Sequence, residues 1–386
     1  MHFLKCVSMC VSPIAIPNPN KGKFVSSLTK SLVDVTSSRI YVPCGHCGQC
    51  LKYKQMSIVQ RVQLESISNE MFFCTLTYNN KMLPVVDING FKIKYADIKD
   101  LQNMFKHLRR DNAFGVPFRY FAVSELGSER GRPHFHILFM IDRKYCKDFL
   151  ECSQLESIMF DKVLQYWSRN IGSDKYPVYE PCCTYVRKWC YGVLKSTYDL
   201  HYVNPYLSED GVSDVSFYVL KYMIKPSDRA VNLQRALRLN LSPDDYRKYW
   251  NLVKPRYIFS KYFGLSGVKV SDVDGTFKWK VNENSVNYVK DCLRISLREG
   301  SSNPSFFNPV NGKSFPLSKY YKSKFLSVSD ALEFKSRQKM LTGSVSDDGS
   351  LNNLHFGDSS SITKSASFDR LLQKIDNRVD VFDLDF

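Results

Sequence analysis

The stretch GRPHFHILFM, Gly131 to Met140, sets two histidines one residue apart inside an apolar run. A strand sends successive side chains to opposite faces, so His134 and His136 project together while Phe135, Ile137 and Phe139 fill the other, buried face. Just before it, FRYFAVSE (Phe118 to Glu125) reads as a second strand, with the Gly- and Arg-containing loop Leu126–Pro133 between them. If the two runs form a hairpin, Glu125 sits opposite His134 on the imidazole face. A two-His, one-carboxylate set of this kind grips a divalent cation and leaves positions open for water and phosphate oxygens. The pairing constrains the chain to an antiparallel sheet with a polar patch on one face.

The 386 residues are 44% apolar, enough for one large or two ordinary cores. No apolar run reaches the length of a membrane span, and MHFLKCVSMCVSPIAIPNPN makes a poor signal peptide because it carries cysteines and ends in Pro and Asn. The expected partners therefore include no membrane. The net charge of +16 is uneven: from Gly343 onward eight Asp face four Lys or Arg, so the body is more basic than the total. A basic body with 14% aromatic residues suits a polyanion whose bases can stack, which points to nucleic acid.

Other elements place this pair in a larger domain. Leu51 to Glu70 has helical composition but a mixed face. Met71 to Tyr78 reads as a strand, and Ile98, Leu101, Phe105 and Leu108 recur at helical spacing behind an N-cap at Asp97. Ser153 to Trp167 is a further helix, Trp189 to Val193 a short strand, and Val215 to Lys225 a helix stopped by Pro226. Residues 227–342 show no clear period. The Ser-, Asp- and Asn-rich tail is expected to be disordered, with at most a short helix over Phe368 to Ile375. The expected fold is α+β: an antiparallel central sheet flanked by helices, with a loop-rich cysteine-containing N-terminus. The expected division is 1–50 for the cysteine region, 51–230 for the main domain, 231–342 for an accessory region and 343–386 for the tail.

The helix FYVLKYMIK, Phe217 to Lys225, carries Tyr218 and Tyr222 four apart and Lys221 and Lys225 four apart, so each pair shares a face. A phenol is a weak nucleophile until a cation stabilises its oxyanion, and a lysine beside it does that. His-x-His on a strand followed by Tyr-x-x-x-Tyr-x-x-Lys on a helix resembles the HUH endonuclease superfamily in its two-tyrosine form. The order of PCGHCGQC (Pro43 to Cys50), FCTLTY (Phe73 to Tyr78), RYFAVSE (Arg119 to Glu125), GRPHFH and YVLKYMIK is similar to that of replication initiators of small single-stranded DNA phages, the microviruses. The resemblance runs from about Cys10 to Lys225, with a weaker echo at LSKYYKSK, Leu317 to Lys324.

The resemblance implies a rolling-circle strand transferase. His134 and His136 would hold Mg2+ or Mn2+ with Glu125 as third ligand. Tyr222 would attack the scissile phosphate to give a 5′-phosphotyrosine and a free 3′-hydroxyl, and Tyr218 would make the second cut, although the two can exchange roles. Lys221 or Lys225 would offset charge on the phenolate or phosphate. Thr75 and Thr77 on the neighbouring strand, and Arg130 and Arg132 in the loop, would contact DNA. No phosphate-binding GxxxxGK[ST] loop is present, so a host helicase and polymerase are implied partners, alongside single-stranded and supercoiled origin DNA in the host bacterial cytoplasm. The same motifs would serve a plasmid initiator, relaxase or transposase, and the charge alone would serve a non-catalytic DNA-binding protein.

Twelve cysteines without a secretory leader point to thiols rather than a disulfide framework. Cys44, Cys47 and Cys50 have a spacing that suits a structural Zn2+. Similarity to phage proteins, in which a Cys with Pro-x-x-x-Pro shortly after it precedes the knuckle, makes Cys10 the first choice for the fourth ligand, with Cys6 and His46 as alternatives. The prolines here are Pro13 and Pro17.

Overall fold

The computed structural model describes residues 10–23, 34–45, 47–127, 131–183, 198–203, 228–271, 277–309, 312 and 314–342. The elements divide between two compact units, one of residues 1–60 with 286–386 and the other of residues 61–285. In chain order they open with β1 (Ile14–Pro17), β2 (Arg39–Val42), α1 (Gly48–Glu65), β3 (Asn69–Thr77), β4 (Val85–Ile88), β5 (Phe91–Lys94) and α2 (Ile98–Arg110). Then follow β6 (Phe118–Leu126), β7 (Pro133–Asp142), α3 (Phe149–Tyr166), β8 (Ser168–Asn170), β9 (Tyr179–Pro181) and β10 (Tyr198–Val203). Beyond these lie α4 (Asp228–Asn240), α5 (Pro243–Val253), β11 (Tyr257–Phe259), β12 (Val268–Ser271), β13 (Phe277–Lys280) and α6 (Glu283–Arg298). The last described elements are β14 (Ser305–Phe307), β15 (Ser314–Pro316), α7 (Lys319–Phe325) and α8 (Val328–Thr342).

The larger unit is built on a five-stranded sheet in the order β10-β3-β7-β6-β11, with every pairing antiparallel. The expected α+β class and antiparallel central sheet are borne out. One face carries Phe72, Cys74 and Leu76 from β3, Phe135, Ile137 and Phe139 from β7, and Ala122 from β6. Helices α2 and α3 cover that face. In α2, Leu101, Met104, Phe105 and Leu108 turn inward at helical spacing, and the Asp97 side chain caps the first turn by accepting from the Lys99 amide at 2.9 Å. In α3, Leu155, Met159 and Val163 do the same, ending at the fully buried Trp167.

The histidine face is not simply open, as an alternating strand would suggest. Leu138 and Met140 on that face are as buried as Phe135 and Ile137. The reason lies in the last turn of α1 and in the segment 260–267. Glu65, wholly buried, pairs with Arg119 of β6 at 2.6 Å and accepts from the Gly264 amide, the Ser266 amide and hydroxyl, and Asn69. Arg119 in turn donates to the carbonyls of Gly267 and Tyr262. A buried charge persists only when paired and hydrogen-bonded, and this one is saturated. The cluster closes one end of the face and leaves the end bearing Glu125 and His134 for the site.

The smaller unit has its own core around Val289, Leu293, Phe306, Leu317, Tyr321 and Phe334. Phe306 and Tyr321 stack with centroids 6.1 Å apart, and Gln60 clamps the β15 end by donating to the Pro316 carbonyl at 2.7 Å and accepting from the Ser318 amide at 2.9 Å. Among the described residues no helix is long and apolar enough to cross a membrane. Cys146 and Cys152 are joined as a disulfide, one bridge in a chain whose cysteines are expected to be thiols rather than a disulfide framework. Both flank the start of α3, where their Cα atoms lie 5.2 Å apart. The short strand expected over Trp189–Val193, the helix over Val215–Lys225 and the tail lie outside the described residues.

Candidate functional site

The β6–β7 hairpin has the register Glu125↔His134 and Val123↔His136, and β3 completes the rows with Thr77↔His134 and Thr75↔His136. Partners in a register share a face, so the hairpin brings the expected carboxylate to the two imidazoles. The hairpin loop is closed by the Gly127 amide donating to the Arg132 carbonyl at 3.0 Å and the Gly131 amide to the Gly127 carbonyl at 2.8 Å. Gly131 has φ +62°, a left-handed conformation that glycine adopts without a Cβ penalty.

Three atoms converge. His134 Nε2 lies 3.1 Å from His136 Nε2, and Glu125 Oε2 lies 3.4 Å and 3.3 Å from the two nitrogens. Mutually adjacent ligands on a Mg2+ or Mn2+ octahedron with bonds of about 2.1 Å stand about 3.0 Å apart. The three atoms are thus already spaced as one face of such an octahedron, and the opposite face is where water or a phosphate oxygen would bind. Glu125 Oε2 is buried and accepts no hydrogen bond. A buried carboxylate oxygen aimed at two imidazole nitrogens fits a cation between them.

The neighbours fix the ligands. His134 Nδ1 lies 3.1 Å from the Arg132 carbonyl, which can only accept, so Nδ1 carries the proton and Nε2 presents its lone pair to the site. His136 Nδ1 lies 3.1 Å from Thr75 Oγ1, and the ring stacks on Phe73 at 5.5 Å. Burial holds the His136 pKa below the ordinary imidazole value, and the neighbouring His134 adds to this while Glu125 opposes it. Burial alone would raise the Glu125 pKa, but the two imidazoles facing the carboxylate outweigh it and hold the carboxyl below its usual value. Both directions favour the forms that bind metal, neutral imidazole and ionised carboxylate.

Thr75, expected at the DNA, lies against His136. Thr77 lies in register with His134, and its carbonyl accepts from the Trp167 indole at 2.8 Å. Arg132 donates to the Tyr78 carbonyl and to Asn80 Oδ1 at 2.9 Å, which fixes the loop beside the site. Arg130, Tyr218, Lys221, Tyr222 and Lys225 lie outside the described residues. The Arg132 backbone carbonyl orients His134, and no residue-type signal in the sequence marks such a group.

A second cluster sits in the smaller unit. Antiparallel pairing of β1 with β2, Ile14 opposite Val42, folds Cys10 back to the knuckle. The sulfurs of Cys10 and Cys47 stand 3.8 Å apart and those of Cys44 and Cys50 3.9 Å apart, and all four lie within 4.8 Å of one another. The edge of a zinc–thiolate tetrahedron with 2.3 Å bonds is about 3.8 Å. The Cys44 amide donates to Cys10 Sγ at 3.2 Å and the Cys47 amide to Cys44 Sγ at 3.3 Å. Against the effect of burial, amides from Cys50 and Val11 bring the Cys47 thiol down to about 6, while burial pushes its neighbour Cys50 up to about 12. Of the alternatives for the fourth ligand, Cys6 and His46 lie outside the described residues.

Residues 71–227 match the model of the replication-associated protein ORF2 family. Over 141 residues the chain is 30% identical to the Replication-associated protein ORF2 of Spiroplasma virus 4, covering 34% of this chain and 43% of that protein. Over 100 residues it is 29% identical to the Replication-associated protein ORF4 of Chlamydia phage 1, covering 25% of this chain and 23% of that protein. The matched stretches thus span less than half the length of either relative. No solved structure matches the chain.

Proposed function

Taking residues 71–227 as a segment of the replication-associated protein ORF2 family, we propose that the chain initiates rolling-circle replication of a small single-stranded DNA phage genome. It would nick the viral strand at the origin and rejoin the ends to release a circle. The observation that supports this reading best is the convergence of Glu125, His134 and His136 within 3.1–3.4 Å, inside the matched segment. Their donor set suits Mg2+ or Mn2+, which would draw in the scissile phosphate and polarise it.

The phenol oxygen of Tyr222 forms the new bond to phosphorus, the bond from phosphorus to O3′ breaks, and the departing oxygen takes up a proton to become the 3′-hydroxyl. Phosphodiester is exchanged for phosphodiester, so no nucleotide is hydrolysed. Tyr218 repeats the step on the regenerated origin, and the 3′-hydroxyl freed by that second cut then attacks the first phosphotyrosine, releasing the Tyr222 phenol and closing the circle. Lys221 and Lys225 offset charge on the phenolate and phosphate. Thr75 keeps His136 in place, and Thr77, Arg130 and Arg132 border the DNA path. The Cys10, Cys44, Cys47 and Cys50 cluster holds a structural Zn2+. Single-stranded and supercoiled origin DNA would be the substrates, host helicase and polymerase the partners, and the host bacterial cytoplasm the place of action.

The test is a cleavage assay on labelled single-stranded oligonucleotides covering phage origin sequences, with Mg2+ or Mn2+, resolved on a denaturing gel. Wild type should give a covalent protein–DNA adduct that needs metal. His136→Ala and the double variant Tyr218→Phe, Tyr222→Phe should give none. Binding without any adduct in wild type, with both metals and all the origins, would leave a non-catalytic DNA-binding protein.

A further inference from the structure

The outer strand of the sheet carries an aromatic column on the metal face. The register Tyr257↔Val123 continues the row Val123↔His136, and Phe259↔Phe121 continues Phe121↔Leu138, so Tyr257 and Phe259 share the face of the two histidines. Ile258 between them turns to the opposite core. Tyr257 is 37% exposed and Phe259 36% exposed, large values for rings on a face whose inner positions are sealed. The rings run nearly parallel, 6.1 Å apart at 21°; Phe259 continues onto Phe263 at 5.6 Å and Phe263 onto Phe121 at 5.4 Å. The Arg61 guanidinium lies over Phe259 at 4.2 Å and Phe263 at 4.6 Å, and its Nε donates to the Phe263 carbonyl at 2.9 Å. Lys261 follows, exposed. The column is therefore rigid at its base, cationic along one side and open at its outer end.

Two strand spacings, about 10 Å, separate the Tyr257 and His136 backbones. Such a distance lies within reach of a nucleotide or two from a phosphate at the triad. We propose that Tyr257 and Phe259 form a base-stacking subsite for single-stranded DNA beside the metal triad, receiving bases that flank the cleaved phosphate. The proposal rests on the strand-transferase reading for what lies at the triad. The occupant follows from the column's chemistry: stacking on an aromatic ring accepts any base, whereas paired bases in a duplex hide their faces from it. The chain's net charge of +16 complements a polyanion.

The experiment is binding of a fluorescein-labelled oligo(dT) measured by anisotropy in EDTA, where no cleavage occurs. Tyr257→Leu and Phe259→Leu should each raise Kd roughly 5- to 150-fold, and Tyr257→Phe should leave it unchanged. In parallel, an oligonucleotide carrying 5-iododeoxyuridine is photocrosslinked to the wild-type protein and the adducts are mapped by mass spectrometry. Because it uses the native chain, this arm decides the matter even if the leucine variants fail to fold. Crosslinks on Tyr257 or Phe259 support the subsite. Crosslinks confined elsewhere, leucine variants binding within twofold of wild type, or a dimer formed through this face would overturn it. If wild type forms the covalent adduct but the column takes no base, only the subsite falls; if it binds no single strand at all, the strand-transferase reading falls too.

Discussion

Replacing Thr75 by Val would isolate what the strand beside the triad contributes to the proposed binding of a metal ion. The hydroxyl stands 3.1 Å from His136 Nδ1, and the imidazole it meets is only 4% exposed and stacked on Phe73. Valine keeps the branched shape and withdraws the oxygen, so water cannot readily take its place at so buried a ring. Partners of this kind hold a ligand imidazole in one orientation and tautomer, and losing one costs about 10- to 100-fold in metal affinity, or roughly 1.4–2.7 kcal/mol. Calorimetric titration with Mn2+ should show that weakening, with the stoichiometry still one ion at the triad and the thermal midpoint little changed. Thr75→Ser, which restores an oxygen, should recover most of it. Affinity within twofold of wild type for Thr75→Val would refute the reasoning and place the determinants of His136 geometry elsewhere.

Other substitutions test the frame around the site. Arg119→Met leaves Glu65 buried without its counter-charge and should cost about 3–5 kcal/mol in urea unfolding, while adding Glu65→Leu should return much of it. Equal stability of the single and double variants would contradict the role given to that pair. Phe105→Ala, which empties a fully buried position of α2 where Phe105 stacks on Tyr120 at 3.8 Å, should cost about 3–5 kcal/mol in the same assay. Cys47→Ser should lower bound zinc by elemental analysis together with the unfolding midpoint, and unchanged metal content would remove the knuckle as a zinc site.

The sequence made the sheet and triad legible because both rest on period-two patterns. In the strand PHFHILFMID, the alternation of His134, Phe135, His136 and Ile137 sets the face, and hairpin pairing then leaves Glu125 one place to go. The α2 helix was equally plain, since Leu101, Phe105 and Leu108 sit behind Asp97 in the order an amphipathic helix requires. Where polar groups are buried, the pattern fails. Gln55, Gln60, Arg61, Gln63 and Glu65 of α1 are all buried, which is why that helix read as a mixed face. The partners of Gln60, Arg61 and Glu65 lie far along the chain, around 260–267 and 316–318, and no local window reveals them. The helix Glu283–Arg298 was legible in principle: Val289, Cys292, Leu293 and Ser296 form one buried stripe, with a cysteine and a serine diluting the apolar signal. β11, only three residues long, is beneath the length at which a strand announces itself.

The Glu65–Arg119 cluster also sets a timetable for synthesis. Arg119 meets the Gly267 carbonyl across 148 residues, and Glu65 meets the Ser266 amide across 201. A ribosome adding 5–20 residues per second needs roughly 7–30 s to travel the 148 residues from Arg119 to Gly267. Until then the nascent sheet holds an arginine and a glutamate with each other but without the backbone groups that saturate them, and β6 stays an open edge that another chain could join. The face that bears Glu125, His134 and His136 is therefore finished late, by the same segment that carries Tyr257, Phe259 and Phe263.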